Sequence, residues 1–162
     1  MSLIIGNIVA LIASILMVYS GIIKQKKKIL YVQSIQIGLF VISNLILNGI
    51  PGVIINAISF VKNILCYKNK LYFKEKIIIT ILATSLTLYF NNLGLIGLLP
   101  LASIIIYLWF MTTKDIIKFK LLIILTTILW IIYDFSIQSY TSSVFDILTI
   151  LTNIISIIRI KK

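Results

Sequence analysis

The basic residues of this chain stand in tight clusters separated by long apolar runs. Lys24, Lys26, Lys27 and Lys28 close the first run. Lys68, Lys70, Lys74 and Lys76 follow the third, Lys114, Lys118 and Lys120 the fifth, and Arg159, Lys161 and Lys162 the last. The runs cover residues 2–23, 29–47, 50–67, 77–90, 93–111, 121–137 and 144–158. About 20 apolar residues cross the hydrocarbon of a bilayer, with roughly 17 at the low end. The fourth and seventh runs are a little short by that measure. A soluble domain of 162 residues, 60% of them hydrophobic, could not hide so much apolar surface. The pattern is that of an all-α polytopic membrane protein.

Charge decides how many runs cross. With seven spans, the N-terminus outside and the C-terminus inside, every basic cluster falls on the cytoplasmic side and the outer turns carry none. Removing the fourth span would flip the later clusters outward. Lys62, one turn inside the third run, is expected to snorkel to the same cytoplasmic face. The first run has no basic stretch before it, and no polar domain follows. It reads as a retained helix, not a cleaved signal peptide. Topology accounts for the net charge of +11, and the long apolar runs exclude a soluble nucleic-acid binder.

A shift of 90 residues lays residues 3–70 on 93–160 without gaps. The polar and aromatic pairings carry the match. Lys24 falls on Lys114, Lys28 on Lys118, Asn44 on Asp134, Asn56 on Asp146, Ser59 on Thr149 and Asn63 on Asn153. Tyr19 pairs with Trp109, and Phe40 with Trp130. The expected architecture is two parallel three-helix bundles, residues 1–70 and 93–162, joined by a cytoplasmic loop and linker helix at 71–92. Duplications of this kind suit transporters with a solute site between the halves.

Asn56, Ser59 and Asn63 share one helical face, and Asp146, Thr149 and Asn153 repeat the arrangement. Amides in hydrocarbon need partners, so both stripes should face protein or a water-filled cavity. They are candidate solute contacts, or else hydrogen-bonding glue between helices. Trp130, near the midplane, is a candidate stacking platform, and Gln33 and Gln36 are candidates for the cytoplasmic mouth. Asp134 and Asp146 are the only acids outside the inner loops; if buried, they could couple to a proton or cation. Small-residue stripes at Gly6, Ala10 and Ser14, and at Gly94, Gly97, Pro100 and Ser103, should mark close helix contacts. Pro100 is expected to kink the fifth helix and is a candidate hinge. One cysteine and no histidine leave no metal set and no nucleophile–base constellation, so neither an enzyme nor a cofactor is expected.

Two stretches carry a family resemblance: residues 52–68, and residues 130–134 followed by 146–159. They resemble the YgjV-type bacterial inner membrane proteins, which implies a multi-pass location in the bacterial cytoplasmic membrane. The paired three-helix layout is also similar in architecture to the PnuC vitamin transporters and the SWEET/PQ-loop sugar transporters. This chain has no Pro-Gln dipeptide in either half, so a PQ-loop mechanism does not carry over, and no substrate does. The reading that results is a small-solute transporter or facilitator for a small polar metabolite, surrounded by lipid. The alternative is a non-transporting membrane scaffold that binds a partner or lipid.

Overall fold

In hydrocarbon a backbone has no water to bond, so an apolar run long enough to span must satisfy its own N–H and C=O groups as a helix. The computed structural model describes residues 2–161, and side chains for 2–160. Met1 and Lys162, which the proposed bundles and the last basic cluster include, lie outside the described residues. Within them the chain forms α1 (Ser2–Ile22), α2 (Lys26–Ile46), α3 (Ile50–Tyr67), α4 (Phe73–Phe90), a 3-10 turn (Ile96–Leu98), α5 (Leu99–Phe110), α6 (Ile116–Ser136) and α7 (Tyr140–Lys161).

Local chemistry sets the ends. The Asp115 carboxylate accepts the Ile117 N–H at 2.8 Å and the Lys118 N–H at 3.3 Å, satisfying donors that α6 leaves free. Pro51 sits in the first turn of α3, where no helical hydrogen bond is lost. Tight turns join α2 to α3 and α6 to α7. Each holds one residue in the left-handed region, Asn48 at φ 57° and Gln138 at φ 60°.

Five helices, α1, α2, α3, α6 and α7, are long and apolar enough to cross a membrane. α4 carries Lys74, Glu75 and Lys76 in its first turn, and α5 together with the 3-10 turn before it, Ile96–Phe110, falls short of 18 residues, so neither meets that measure. Surface and interior are inverted relative to a soluble bundle. α1 buries Gly6, Ala10, Ala13, Ser14 and Ser20, while Ile4, Ile8, Ile12 and Ile15 point outward. So large an apolar surface fits lipid, not water.

The helices close a ring. α1 packs on α2 and α7, α2 on α3, α3 on α5, α5 on α6, and α6 on α7, with α4 lying against α3 and α5. Both tight turns sit at one end of the ring, where the Tyr133 hydroxyl reaches the α2–α3 turn and Asn7 reaches Gln138. The lysines gather at the other end. There Lys120 Nζ donates to the Gly21 carbonyl at 2.7 Å and Lys26 Nζ to the Thr113 carbonyl at 2.7 Å. The Gly21 carbonyl stands in the last turn of α1, where a cation is favoured, and the Thr113 carbonyl in the loop after α5.

Three sequence expectations need correction. Lys62 does not snorkel outward; it is 4% exposed and its Nζ lies 4.0 Å from the centre of the Tyr107 ring. Pro100 does not interrupt a helix, because α5 begins one residue before it and the first turn tolerates proline. Gly94 belongs to the turn before the 3-10 segment, at φ 58°, and not to a packed stripe.

Candidate functional site

Inside the ring lies a cavity of about 100 Å³. All six ring helices line it: Met17 from α1, five residues each from α2 and α3, Ser103, Ile104 and Tyr107 from α5, five from α6, and Asp146 from α7. The α2 residues are Gln33, Gln36, Ile37, Phe40 and Asn44. Those of α6 are Ile123, Thr126, Thr127, Trp130 and Asp134, each 90 positions after its α2 counterpart. From α3 come Ile55, Asn56, Ser59, Lys62 and Asn63, whose mates on α7, except Asp146, face elsewhere.

The cavity wall holds polar atoms that the protein does not satisfy. Asn63 is 1% exposed, yet neither Nδ2 nor Oδ1 has a hydrogen-bond partner among the described residues. Gln36 Oε1 and Asp146 Oδ2 are in the same state. Each such group costs about 1–3 kcal/mol when buried without a partner. Gln33 is better served, since its Oε1 accepts the Tyr107 hydroxyl at 3.0 Å. The Trp130 ring meets Tyr133 edge-on at 5.5 Å.

Next to the cavity residues Asn44 and Asp134, Tyr133 ties α6 to the α2–α3 turn. The Tyr133 hydroxyl donates to the Gly49 carbonyl at 3.0 Å and accepts the Gly52 N–H at 2.8 Å. A Cβ on Gly52 would stand 2.7 Å from that hydroxyl oxygen and 2.8 Å from Asn44 Nδ2, so only glycine lets α3 and α6 approach this closely.

Most of the sequence candidates therefore meet. Asn56, Ser59, Asn63, Trp130, Asp134 and Asp146 share the cavity. Thr149 and Asn153 do not line it. Asn153 Nδ2 donates to the Thr149 carbonyl at 2.8 Å, and its Oδ1 accepts from Lys120 Nζ at 3.4 Å. Part of the difference between Asn63 and Asn153, the partner of the amide oxygen, traces to the residue 33 positions before each. Lys120 occupies the place that Leu30 holds in the first half, so a cation reaches Asn153 and none is supplied to Asn63 in this way. Pro100 lies buried at the start of α5, away from the lining.

Sequence reasoning missed Lys62 and Tyr107 as lining residues. The signal was available for Lys62, a charge twelve residues into an 18-residue helix on the same face as Ser59. Among the described residues no group of three or more His, Cys, Asp or Glu stands where it could hold a metal ion.

No curated protein and no solved structure matches the chain. A family model does match, over residues 4–162 and hence nearly the whole ring of helices, and its description is a bacterial inner membrane protein. The chain is a multi-pass member of the Imp-YgjV family of bacterial inner membrane proteins.

Proposed function

We propose that the protein is a small-solute transporter or facilitator of the bacterial inner membrane, with its solute site in the cavity between two pseudo-symmetric halves. The observation that carries this reading is Asn63. A wholly buried side-chain amide that gives none of its donors or acceptors to the protein is costly to keep, and a polar solute is the group that would repay it. Asn63, Asn56, Ser59, Trp130 and Asp146 contact the solute, and Asp134 and Asp146 offer carboxylates for a coupled proton or cation.

The 3+1+3 arrangement, with residues 71–92 as linker, is part of the proposal. Helix bounds support it, since α2 and α6 start and end 90 residues apart and so do the starts of α3 and α7. The turns match as well: Gly49 N–H donates to the Asn44 carbonyl at 2.9 Å, and Ser139 N–H to the Asp134 carbonyl at 2.8 Å. Two like units running the same way could rock about the cavity and open it to each side in turn. Thr149 and Asn153 would enter the solute path only if such rocking broke the Lys120 contact.

That contact favours a second reading at one place. Asn153, satisfied by Thr149 and Lys120, behaves as glue between helices. The two asparagines should then respond in opposite ways. Asn153→Ala should cost about 0.6–2 kcal/mol of stability. Asn63→Ala should cost nothing without ligand, and should abolish the response to ligand.

Thermal melting of purified protein with sugars, nucleosides, B vitamins and amino acids, followed by uptake into proteoliposomes, tests the reading. A compound that stabilises wild type but not Asn63→Ala, and is taken up, would support it. A flat panel would move the assignment to a scaffold, provided Asn63→Cys in a Cys66→Ser background also resists water-soluble thiol reagents.

A further inference from the structure

The charges within the cavity are of both signs and lie at different depths. Lys62 is on α3, twelve residues from the start of that helix, while Asp146 is only six residues into α7, as Asn56 is into α3. Six residues correspond to about 9 Å of helix axis. Asp134 lies nearer still to the turn end, two residues before the end of α6. Among the described residues no carboxylate comes within 4.0 Å of Lys62 Nζ, whose neighbour is the face of Tyr107. Asp146 Oδ2 is likewise without a partner. A buried cation and a buried carboxylate that do not pair with each other are both expensive to maintain.

A ligand of one sign would neutralise one end and leave the other unpaired, and a neutral polyol would neutralise neither. A zwitterion serves Lys62 and Asp146 at no net charge and leaves Asp134 for the coupled proton or cation proposed above. Two charge-assisted hydrogen bonds of about 2.8 Å each, plus about 3 Å between the ammonium and carboxylate of an α-amino acid, let such a ligand bridge groups that are too far apart to pair directly, up to about 9 Å. Size agrees. A cavity of about 150 Å³ can hold benzene with its six heavy atoms, so one of about 100 Å³ scales to about four, close to the five of glycine.

Resting on the transporter reading above, we propose that the solute is a small zwitterion of the α-amino-acid class, its carboxylate toward Lys62 and Asn63 and its ammonium toward Asp146. Asn63 Nδ2 donates to the carboxylate beside the lysine. Trp130 and Phe40 line the same cavity, each six residues from the turn end of its helix as Asp146 is, and an aromatic ring there favours a cation.

The test is binding to purified wild-type protein of glycine and alanine against glycinamide, N-acetylglycine and glycerol, each read by thermal shift. Glycine or alanine should raise the melting temperature, and deleting either charge should weaken affinity at least tenfold. Lys62→Met and Asp146→Asn should each lose the response, while Lys62→Arg, which keeps the charge, should retain it and so control for misfolding. Stabilisation by glycerol or glycinamide equal to that by glycine would overturn the zwitterion and leave a transporter of another solute class. The zwitterion is overturned in the same way if no compound in the set acts while Asn63→Cys, in the Cys66→Ser background, still reacts with water-soluble thiol reagents. If no compound acts and that cysteine stays unreactive, the transporter reading falls together with this one.

Discussion

A single hydroxyl, that of Tyr133, binds α6 to the α2–α3 turn through Gly49 and Gly52. Gly52→Ala should push that ring aside and cost about 1–3 kcal/mol, the range for overpacking. Tyr133→Phe should cost a similar amount, because it leaves the buried Gly52 N–H unpaired. The two losses should add only in part, since the phenylalanine has no oxygen for the new methyl to meet, while Asn44 Nδ2 and the ring carbon Cε1 still crowd it. Thermal unfolding of both single variants and the double would measure the coupling, and strict additivity would refute the shared contact. Residue-scale features of this kind were only partly legible in the sequence. Asn56, Ser59 and Asn63 could be placed on one face by spacing alone. Lys62 could not be placed by the usual tendency of lysine to reach the interface, because the Tyr107 ring that receives it lies 45 residues away on another helix. Lys120 was read with the loop lysines for the same reason, although it turns inward onto α1 and α7.

At the scale of elements, the apolar runs marked the helices well because nothing within them competes with helix formation in lipid. The clearest departure is the start of α5. Gly94 in the left-handed region and the 3-10 turn delay the helix to Leu99, since glycines between apolar residues can serve a turn as readily as a packed stripe. α4 begins four residues before its apolar run, because Glu75 Oε2 accepts the Tyr72 N–H at 3.1 Å and starts the helix among charges. The paired turns offer a test. Gln138, exposed at φ 60°, bears the left-handed cost of about 1–2 kcal/mol, and glycine would relieve it at an entropic cost of about 0.5–1 kcal/mol. Gln138→Gly should therefore stabilise by about 0.5–1 kcal/mol. Asn48→Gly should gain less, because asparagine already tolerates this conformation. A loss of melting temperature in Gln138→Gly would show that its side chain has a role in the turn beyond filling it.

For the whole molecule, the ring puts the two tight turns at one end and the lysine-bearing loops at the other, which turns the orientation into a single question. The attraction of basic residues to the cytoplasmic side answers it from sequence: Lys24 to Lys28, Lys68 to Lys76 and Lys114 to Lys120 should face the cytoplasm, and Asn48 and Gln138 the outer side. Charge asymmetry between the ends is large, because the tight turns carry no basic residue at all. Single cysteines introduced into a Cys66→Ser background read the outcome directly. Asn48→Cys and Gln138→Cys, both at exposed positions, should react with a membrane-impermeant maleimide in intact spheroplasts. Lys70→Cys and Lys118→Cys should react only after the membrane is opened. The reverse pattern would invert the orientation but keep the cavity, with the carboxylates then nearer the cytoplasm and Lys62 nearer the outside. Labelling of all four in intact spheroplasts would break the link between the turns and a single membrane face, and with it the proposed parallel arrangement of the two halves.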